Sequence, residues 1–228
     1  MHRIFLFLGL LVPLAAAPIR VQIVTGGHPH SLSFYSIFEG RDDLAVSVNP
    51  HPSAYRRPLL KNIDVLVLYD LDDVTDEKEQ QTIRSFLEGG GGLVVLHHAL
   101  ADNWQWKWWY EEVVGGRFLM GKDGDMPRSV AKAPVALEVR PAATHPVLEG
   151  VGTLKIEDEG YKGMYLSPQS KVLMETQNPD NDKAVVWIGP WQKSRVVAIQ
   201  IGHGPGAHND PGYRRLVYNA ILWVAGKK

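Results

Sequence analysis

Residues 87–102 read LEGGGGLVVLHHALAD, and the order of elements in this stretch determines the fold class. The glycine run at residues 89–92 ends a helix, because glycine lacks the backbone restriction that favours helix continuation. The apolar residues 93–96 predict a short buried strand, which delivers His97 and His98 to its carboxyl end. A helix followed by a wholly apolar strand is typical of a parallel sheet covered on both faces.

The same alternation of strands and helices continues on both sides of this stretch. Strands are predicted at residues 20–25, 44–48, 63–69, 135–139, 172–176, 184–188 and 196–201. Helices are predicted at residues 31–39, from Thr75 to the glycine run, from the tryptophan-rich stretch up to Val114, and after Pro211. Few helices separate the later strands, so we expect an antiparallel extension at one edge of the sheet. The pattern predicts one α/β domain over residues 18–228, with a mainly parallel sheet and helices on both faces.

Composition excludes several classes of function. The chain has 228 residues, a formal net charge of −1 and no cysteine. A near-neutral chain offers no field to attract nucleic acid, so we expect no nucleic-acid partner. The absence of cysteine excludes disulfides, cysteine-ligated zinc, iron–sulfur clusters and a thiol nucleophile.

The first 17 residues are typical of a secretory signal peptide. A short basic start is followed by an apolar run at residues 4–14 and by three alanines at residues 15–17. The alternatives are a buried N-terminal strand and a retained anchor. We expect cleavage, a mature chain without a membrane span, and export to the bacterial periplasm or the exterior.

Six of the nine histidines follow predicted strands, in three loops. They are His28, His30, His97, His98, His203 and His208. Ligands bind beyond the carboxyl ends of the strands in open α/β sheets, so the three loops are expected to converge. Such histidines bind a divalent metal such as zinc, act as acids and bases near neutral pH, or cap backbone groups. Their spacing lacks a regular zinc motif, so the metal stays open.

Acidic and aromatic residues supply further candidates. The acids are Asp70, Asp102, Asp158, Glu159 and Asp210, and each is also explained as a solvated or capping carboxylate. The tryptophans at positions 104, 106, 108 and 109 suit stacking on a sugar ring and suit a hydrophobic core equally well.

Several motifs together resemble the ThuA-like (trehalose utilisation) family, within the class I glutamine amidotransferase-like superfold. They are VTGGHPH at 24–30, DVLVLYD at 64–70, LEGGGGLVVLHHALAD at 87–102, GGRF at 115–118, THPVLEGV at 144–151, DEGY at 158–161 and GHGPGAHNDPGYRRLVYNAILWVAG at 202–226. The resemblance covers nearly all of the chain after residue 17.

The resemblance implies a flavodoxin-like sheet in which His97 lies at the position of the amidotransferase nucleophile and His203 at that of the late histidine. Without cysteine, amidotransferase chemistry through a thioester is excluded. The recurring polar positions of the family correspond to His30, His97, Glu159, Tyr161 and His203, whereas His28, His98 and His208 are additions. Relatives place a histidine shortly after GGRF, where this chain reads LMGKDG.

The resulting hypothesis is an exported sugar-processing enzyme that acts on a trehalose-like disaccharide or its keto derivative. The predicted catalytic residues are His97, His203 and Glu159. The predicted substrate-binding residues are Gly27, His28, His30, His98, Asp102, Trp104, Tyr161 and His208. The expected partner is a small-molecule carbohydrate; no cofactor is assigned, and a divalent metal such as zinc and a homo-oligomer stay open. The alternatives are a non-catalytic carbohydrate-binding protein and a metal-dependent hydrolase.

Overall fold

A nine-stranded sheet runs through the computed structural model, which describes residues 17–56 and 58–228. The predicted signal peptide, apart from Ala17, lies outside the described residues. The strands are β1 (Ile19–Gly26), β2 (Leu44–Pro50), β3 (Val65–Asp70), β4 (Gly92–Leu96), β5 (Gly116–Arg117), β6 (Val130–Pro141), β7 (Leu154–Lys162), β8 (Tyr165–Leu166), β9 (Lys171–Thr176), β10 (Ala184–Ile188) and β11 (Val196–Ile199), of which β5 and β8 form a separate two-stranded ribbon. The α-helices are α1 (Glu77–Glu88), α2 (Pro205–His208) and α3 (Pro211–Val224).

The order of the large sheet is β2-β1-β3-β4-β11-β10-β9-β6-β7. The first five strands are parallel, and the remaining four join them in antiparallel pairs. Counted along the parallel strands alone, the order is 2-1-3-4-5, which is the order of flavodoxin. The predicted fold class, a mainly parallel flavodoxin-like sheet with an antiparallel extension at one edge, is confirmed.

The central strands are apolar on both faces because helices cover both faces. In β3, Val65 and Val67 belong to one buried cluster and Leu66 and Leu68 to the other. Helix α3 packs on the first cluster through residues such as Leu216, and α1 packs on the second through Phe86 and its neighbours. This two-sided burial explains why these strands read as continuous hydrophobic runs.

Each long helix begins at an aspartate that caps it. The Asp76 carboxylate accepts hydrogen bonds from the backbone N–H groups of Lys78 and Glu79 at the start of α1. The Asp210 carboxylate accepts from the N–H of Tyr213 at the start of α3. These contacts satisfy donors that have no partner within the helix.

The structure departs from the sequence prediction in four places. Residues 32–37 form a 3₁₀-helix and residues 108–113 a π-helix, where α-helices were expected. Strand β6 begins at Val130, five residues before the strand that was predicted at residues 135–139. The DEGY motif lies on β7, which the sequence pattern did not assign to an element. Within the described parts of the chain, no helix is long and apolar enough to cross a membrane.

Candidate active site

His97 lies at a sharp turn between β4 and a short 3₁₀-helix. Its φ angle is +44°, in the left-handed region that non-glycine residues rarely adopt, and its side chain is fully buried. The ring Nδ1 is 2.6 Å from the carbonyl oxygen of Gln200. A carbonyl only accepts, so Nδ1 donates its proton to it and Nε2 is the ring nitrogen that faces the site. The turn therefore presents a fixed ring nitrogen at the carboxyl edge of the sheet.

Three polar groups surround this Nε2 atom. The Tyr161 hydroxyl is 3.0 Å away, the Glu159 Oε2 atom 3.2 Å and the His203 Nδ1 atom 3.2 Å. Glu159 Oε2 and His203 Nδ1 are themselves 3.5 Å apart. We call His97, Glu159 and His203 the polar triad. The structure thus brings together all three residues that were predicted to be catalytic.

The triad draws its members from distant parts of the sheet. His97 follows β4 and His203 follows β11, but Glu159 lies on β7, four strands away from β11 in the sheet order. The Asp158 carboxylate accepts hydrogen bonds from the backbone N–H groups of Gly202 and His203, at 2.6 and 2.9 Å. The Gln200 side-chain amide donates to the Glu159 carbonyl. These contacts hold β7 against the loop after β11.

The environment of the triad favours a charged Glu159 carboxylate beside a neutral His203 ring. Burial alone would raise the pKa of Glu159, but the hydrogen bond and charge of His97 outweigh it, so the pKa is lowered. Burial, together with the neighbouring His97, lowers the pKa of His203. Burial and the charge of Glu159 hold the pKa of the Tyr161 hydroxyl well above its ordinary value, so it stays protonated. The Tyr161 ring stacks on the His97 ring, with centroids 4.6 Å apart.

A pair of stacked histidines adjoins the triad. The rings of His28 and His98 are stacked at a centroid distance of 4.3 Å, and both face His203 edge-on. His98 is only 4% exposed, and neither of its ring nitrogens has a hydrogen-bond partner among the described residues. Burial, reinforced by the neighbouring His97, lowers the pKa of His98 strongly. His98 is therefore a neutral ring with unused hydrogen-bonding capacity.

Two other predicted histidines have partners in the protein. His208 is fully buried: its Nε2 lies 2.8 Å from the Gly202 carbonyl, and its Nδ1 lies 2.9 Å from the Ser33 hydroxyl. Burial lowers its pKa, consistent with a neutral ring that donates to the carbonyl and accepts from the serine. His30 Nε2 is 3.0 Å from the Tyr35 hydroxyl, and its ring packs edge-on against Tyr69. The His208 contacts support the loop that carries His203.

Gly27 and Trp104, also predicted to contact substrate, differ in how the structure constrains them. Gly27 has φ +68°, and a Cβ atom there would lie 1.9 Å from the Leu71 carbonyl oxygen, so only glycine fits. Trp104 is half-buried beside Gly121, and its backbone carbonyl accepts a hydrogen bond from Arg117. Trp106 packs against both Trp108 and Trp109.

Asp102, the remaining predicted binding residue, belongs to a buried acid pair. Its Oδ1 accepts from the Asp72 N–H at 2.9 Å, and its carboxyl group faces that of Asp70. Burial, followed by the charge of Asp70, holds the pKa of Asp102 well above its ordinary value. Asp70 Oδ2 is 3.1 Å from His51 Nδ1, and Asp70 Oδ1 has no donor among the described residues unless Asp102 is protonated. Asp102 thus holds its proton inside the fold.

The sequence did not reveal two supporting residues. Tyr69 donates its hydroxyl hydrogen bond to the Gly202 carbonyl at 2.7 Å, and the Gln200 carbonyl fixes the His97 ring. Tyr69 does end an apolar strand next to Asp70, which is a recognisable signal. A backbone carbonyl carries no sequence signal, so the Gln200 contact was not predictable.

Comparison with known proteins agrees with this architecture. Residues 21–224 match the model of the ThuA family, described as trehalose utilisation. A ThuA-like protein from Parabacteroides merdae ATCC 43184 has a TM-score of 0.79 at 17% identity, covering 92% of this chain and 91% of that one. A ThuA-like protein from Bacteroides uniformis ATCC 8492 has a TM-score of 0.71 at 20% identity, covering 95% of each chain.

More distant proteins share the fold alone. A β-galactosidase from Rahnella sp. R3 has a TM-score of 0.62 at 11% identity, and the match covers 91% of this chain but 31% of that one. No curated protein sequence matches significantly. The family match spans nearly all of the described chain, including the turn at His97 and the loop at His203. The chain therefore belongs to the ThuA (trehalose utilisation) family.

Proposed function

We propose that this protein is a sugar-processing enzyme that acts on a trehalose-like disaccharide or its keto derivative. The observation that carries the proposal is the polar triad, in which three potential proton carriers lie within 3.5 Å of one another at the carboxyl edge of the sheet. The family's association with trehalose utilisation supports the substrate class. The side chain of His203 is 39% exposed, so a substrate has access to the triad from solvent.

The chemistry that suits these groups is proton transfer next to a sugar carbonyl. A triad base removes a proton from the carbon beside the carbonyl, and the electron pair moves into the carbonyl to give an enediolate. Return of a proton to the former carbonyl carbon, with transfer of the neighbouring hydroxyl proton to the former carbonyl oxygen, completes an isomerisation. Expulsion of a leaving group from the next carbon completes an elimination, in which a triad acid protonates the departing oxygen.

The first test is turnover of trehalose and its keto derivatives by wild type and triad variants. General acid–base catalysis typically contributes about 100- to 10,000-fold, so Glu159→Gln and His203→Ala should lower kcat/KM by that order. His97→Asn is the third variant, because asparagine tolerates the left-handed backbone of His97. His145→Ala is the matched control, since His145 packs on Trp223 near the opposite edge of the sheet.

Three outcomes of this test separate the hypotheses. Loss of turnover in the triad variants, but not in His145→Ala, supports the proposed enzyme. Equal turnover in all variants contradicts the assignment of the triad. Sugar binding without turnover by wild type would instead favour the non-catalytic carbohydrate-binding alternative.

We also propose that the protein is exported. The support is the basic start, the apolar run at residues 4–14 and the alanines at 15–17. Expression of the full chain, followed by cell fractionation and N-terminal sequencing, tests this. A chain in the periplasm or medium that begins near residue 18 supports export, and an uncleaved chain in the cytoplasm contradicts it.

A further inference from the structure

The polar triad has the size of one face of a metal-coordination tetrahedron. Its three ligand-type atoms, His97 Nε2, His203 Nδ1 and Glu159 Oε2, are separated by 3.2, 3.2 and 3.5 Å. Zinc binds histidine nitrogen and carboxylate oxygen at about 2.0–2.1 Å, and a tetrahedron of that radius has edges of about 3.3–3.4 Å. The three atoms therefore already stand at the mutual spacing that a zinc ion requires.

The chemistry of the three atoms agrees with their spacing. His97 donates its Nδ1–H to the Gln200 carbonyl, so its Nε2 is the nitrogen that faces the other two members and the Tyr161 hydroxyl. Glu159 supplies a carboxylate oxygen, which binds zinc beside histidine nitrogens. One proton can bridge a single edge of the triangle, whereas a cation can be bound by all three atoms at once.

The surroundings supply the supporting contacts that metal-binding histidines usually have. Such histidines donate their second ring N–H to a carbonyl or a carboxylate, which fixes the ring and its tautomer. The Gln200 carbonyl does this for His97, and the Tyr161 ring stacks on the same imidazole. Asp158 fixes the backbone of His203 through two hydrogen bonds to residues 202 and 203.

His98 provides a second, independent indication. It is buried, and both of its ring nitrogens lack a partner among residues 17–56 and 58–228. A nitrogen of His98 lies within 4.8 Å of ligand atoms of His97 and His203. A buried imidazole with no hydrogen bond is costly, so its place beside the triad indicates a ligand that it meets.

We propose that His97, His203 and Glu159 bind one divalent cation of the zinc type and leave a fourth position open beside His98. Three protein ligands with an open position are the pattern of catalytic rather than structural zinc sites. A cation there would polarise the carbonyl of a bound keto-sugar. It would also occupy the lone pairs of the three atoms, so cation binding and direct acid–base catalysis are alternative roles of the triad. The site itself follows from the ligand geometry and does not depend on the proposed function.

The test is zinc binding by the untagged chain after removal of metal with a chelator. Calorimetric titration with Zn²⁺ should give one site per chain with a Kd below about 1 µM. Glu159→Gln and His203→Ala should each weaken binding by about 100-fold or more, because each removes a direct ligand. His145→Ala should bind as wild type does. Co²⁺ in place of Zn²⁺ should show the intense visible absorption of a four-coordinate ion.

Two results would overturn the site: no stoichiometric Zn²⁺ bound by wild type, or wild-type affinity in both Glu159→Gln and His203→Ala. The metal site and the proposed function can fail separately. A chain that binds one zinc and turns over no keto-disaccharide keeps the site and refutes the function. A chain that turns over the sugar and binds no zinc refutes the metal site and keeps the proposed function.

Discussion

The Asp70–Asp102 pair shows how one buried proton can set the pH response of a protein. Asp102 has a raised pKa because of its burial and the charge of Asp70. Its folded-state pKa therefore lies above its unfolded-state value of about 3.9. The stability that it contributes is fully present below that unfolded pKa and is lost as pH rises through the folded pKa, because unfolding then releases the proton.

The variant Asp102→Asn tests this directly. An asparagine keeps the oxygen that accepts from the Asp72 N–H, and its amide can donate permanently to Asp70. We expect the free energy of unfolding of Asp102→Asn, relative to wild type, to rise from pH 5 to pH 8. One titrating group limits the slope to about 1.4 kcal/mol per pH unit.

Urea unfolding of both proteins at several pH values measures the difference. Histidines with shifted pKa values that lie away from the acid pair, such as His145 and His208, are present in both proteins and largely cancel. The exposed Asp125 gives the control Asp125→Asn, which should show no pH-dependent difference. A difference for Asp102→Asn that is constant or falls with pH would mean that Asp102 is ionised in the folded protein.

The contact between α2 and β7 sets the distance between two members of the triad. Helix α2 begins two residues after His203, and a Cβ atom at Gly206 would lie 2.1 Å from the Glu157 carbonyl oxygen on β7. Gly204, in the same loop, has extended backbone and no atom within 4 Å of its Cβ position. The two glycines thus form a matched pair.

Gly206→Ala should force α2 and the His203 loop away from β7. We expect a loss of about 1–3 kcal/mol in the free energy of unfolding, which is usual for overpacking. Displacement of His203 from Glu159 should lower kcat/KM by about 10- to 100-fold. Gly204→Ala should change stability by less than about 1 kcal/mol and leave turnover near wild type. Equal effects in the two variants would show that the close α2–β7 contact does not position the triad.

Across the whole molecule, the central strands of the parallel half were predictable because they are buried on both faces, unlike the mostly exposed edge strand β2. A continuous apolar run such as residues 65–69 is typical of a central strand between helices. Strand β7 was not predictable in the same way. Its buried and exposed residues alternate, but the buried Asp158 interrupts the apolar side, and its role depends on the distant N–H groups of Gly202 and His203.

The candidate site was likewise predictable only in part. The rule that ligands bind at strand carboxyl ends was enough to select His97 and His203, and the family motif added Glu159 and Tyr161. The partners of His208 could not be predicted, because they are Ser33, in the 3₁₀-helix 175 residues earlier in the chain, and a backbone carbonyl. The proton on Asp102 likewise depends on the burial of Asp70, which only the folded structure provides.

A single hydrophobic cluster spans both halves of the sheet, so we predict that residues 18–228 unfold as one cooperative unit. The cluster contains Val94 of the parallel half and Leu173 of the antiparallel extension. Leu173→Ala should lower the free energy of unfolding by about 2–5 kcal/mol. Circular dichroism and tryptophan fluorescence should report one coincident unfolding transition in wild type and in Leu173→Ala. Val130→Ala, at an exposed position of β6, should have little effect. Two separate transitions, or a destabilisation seen by one probe only, would show that the antiparallel extension folds independently of the parallel sheet.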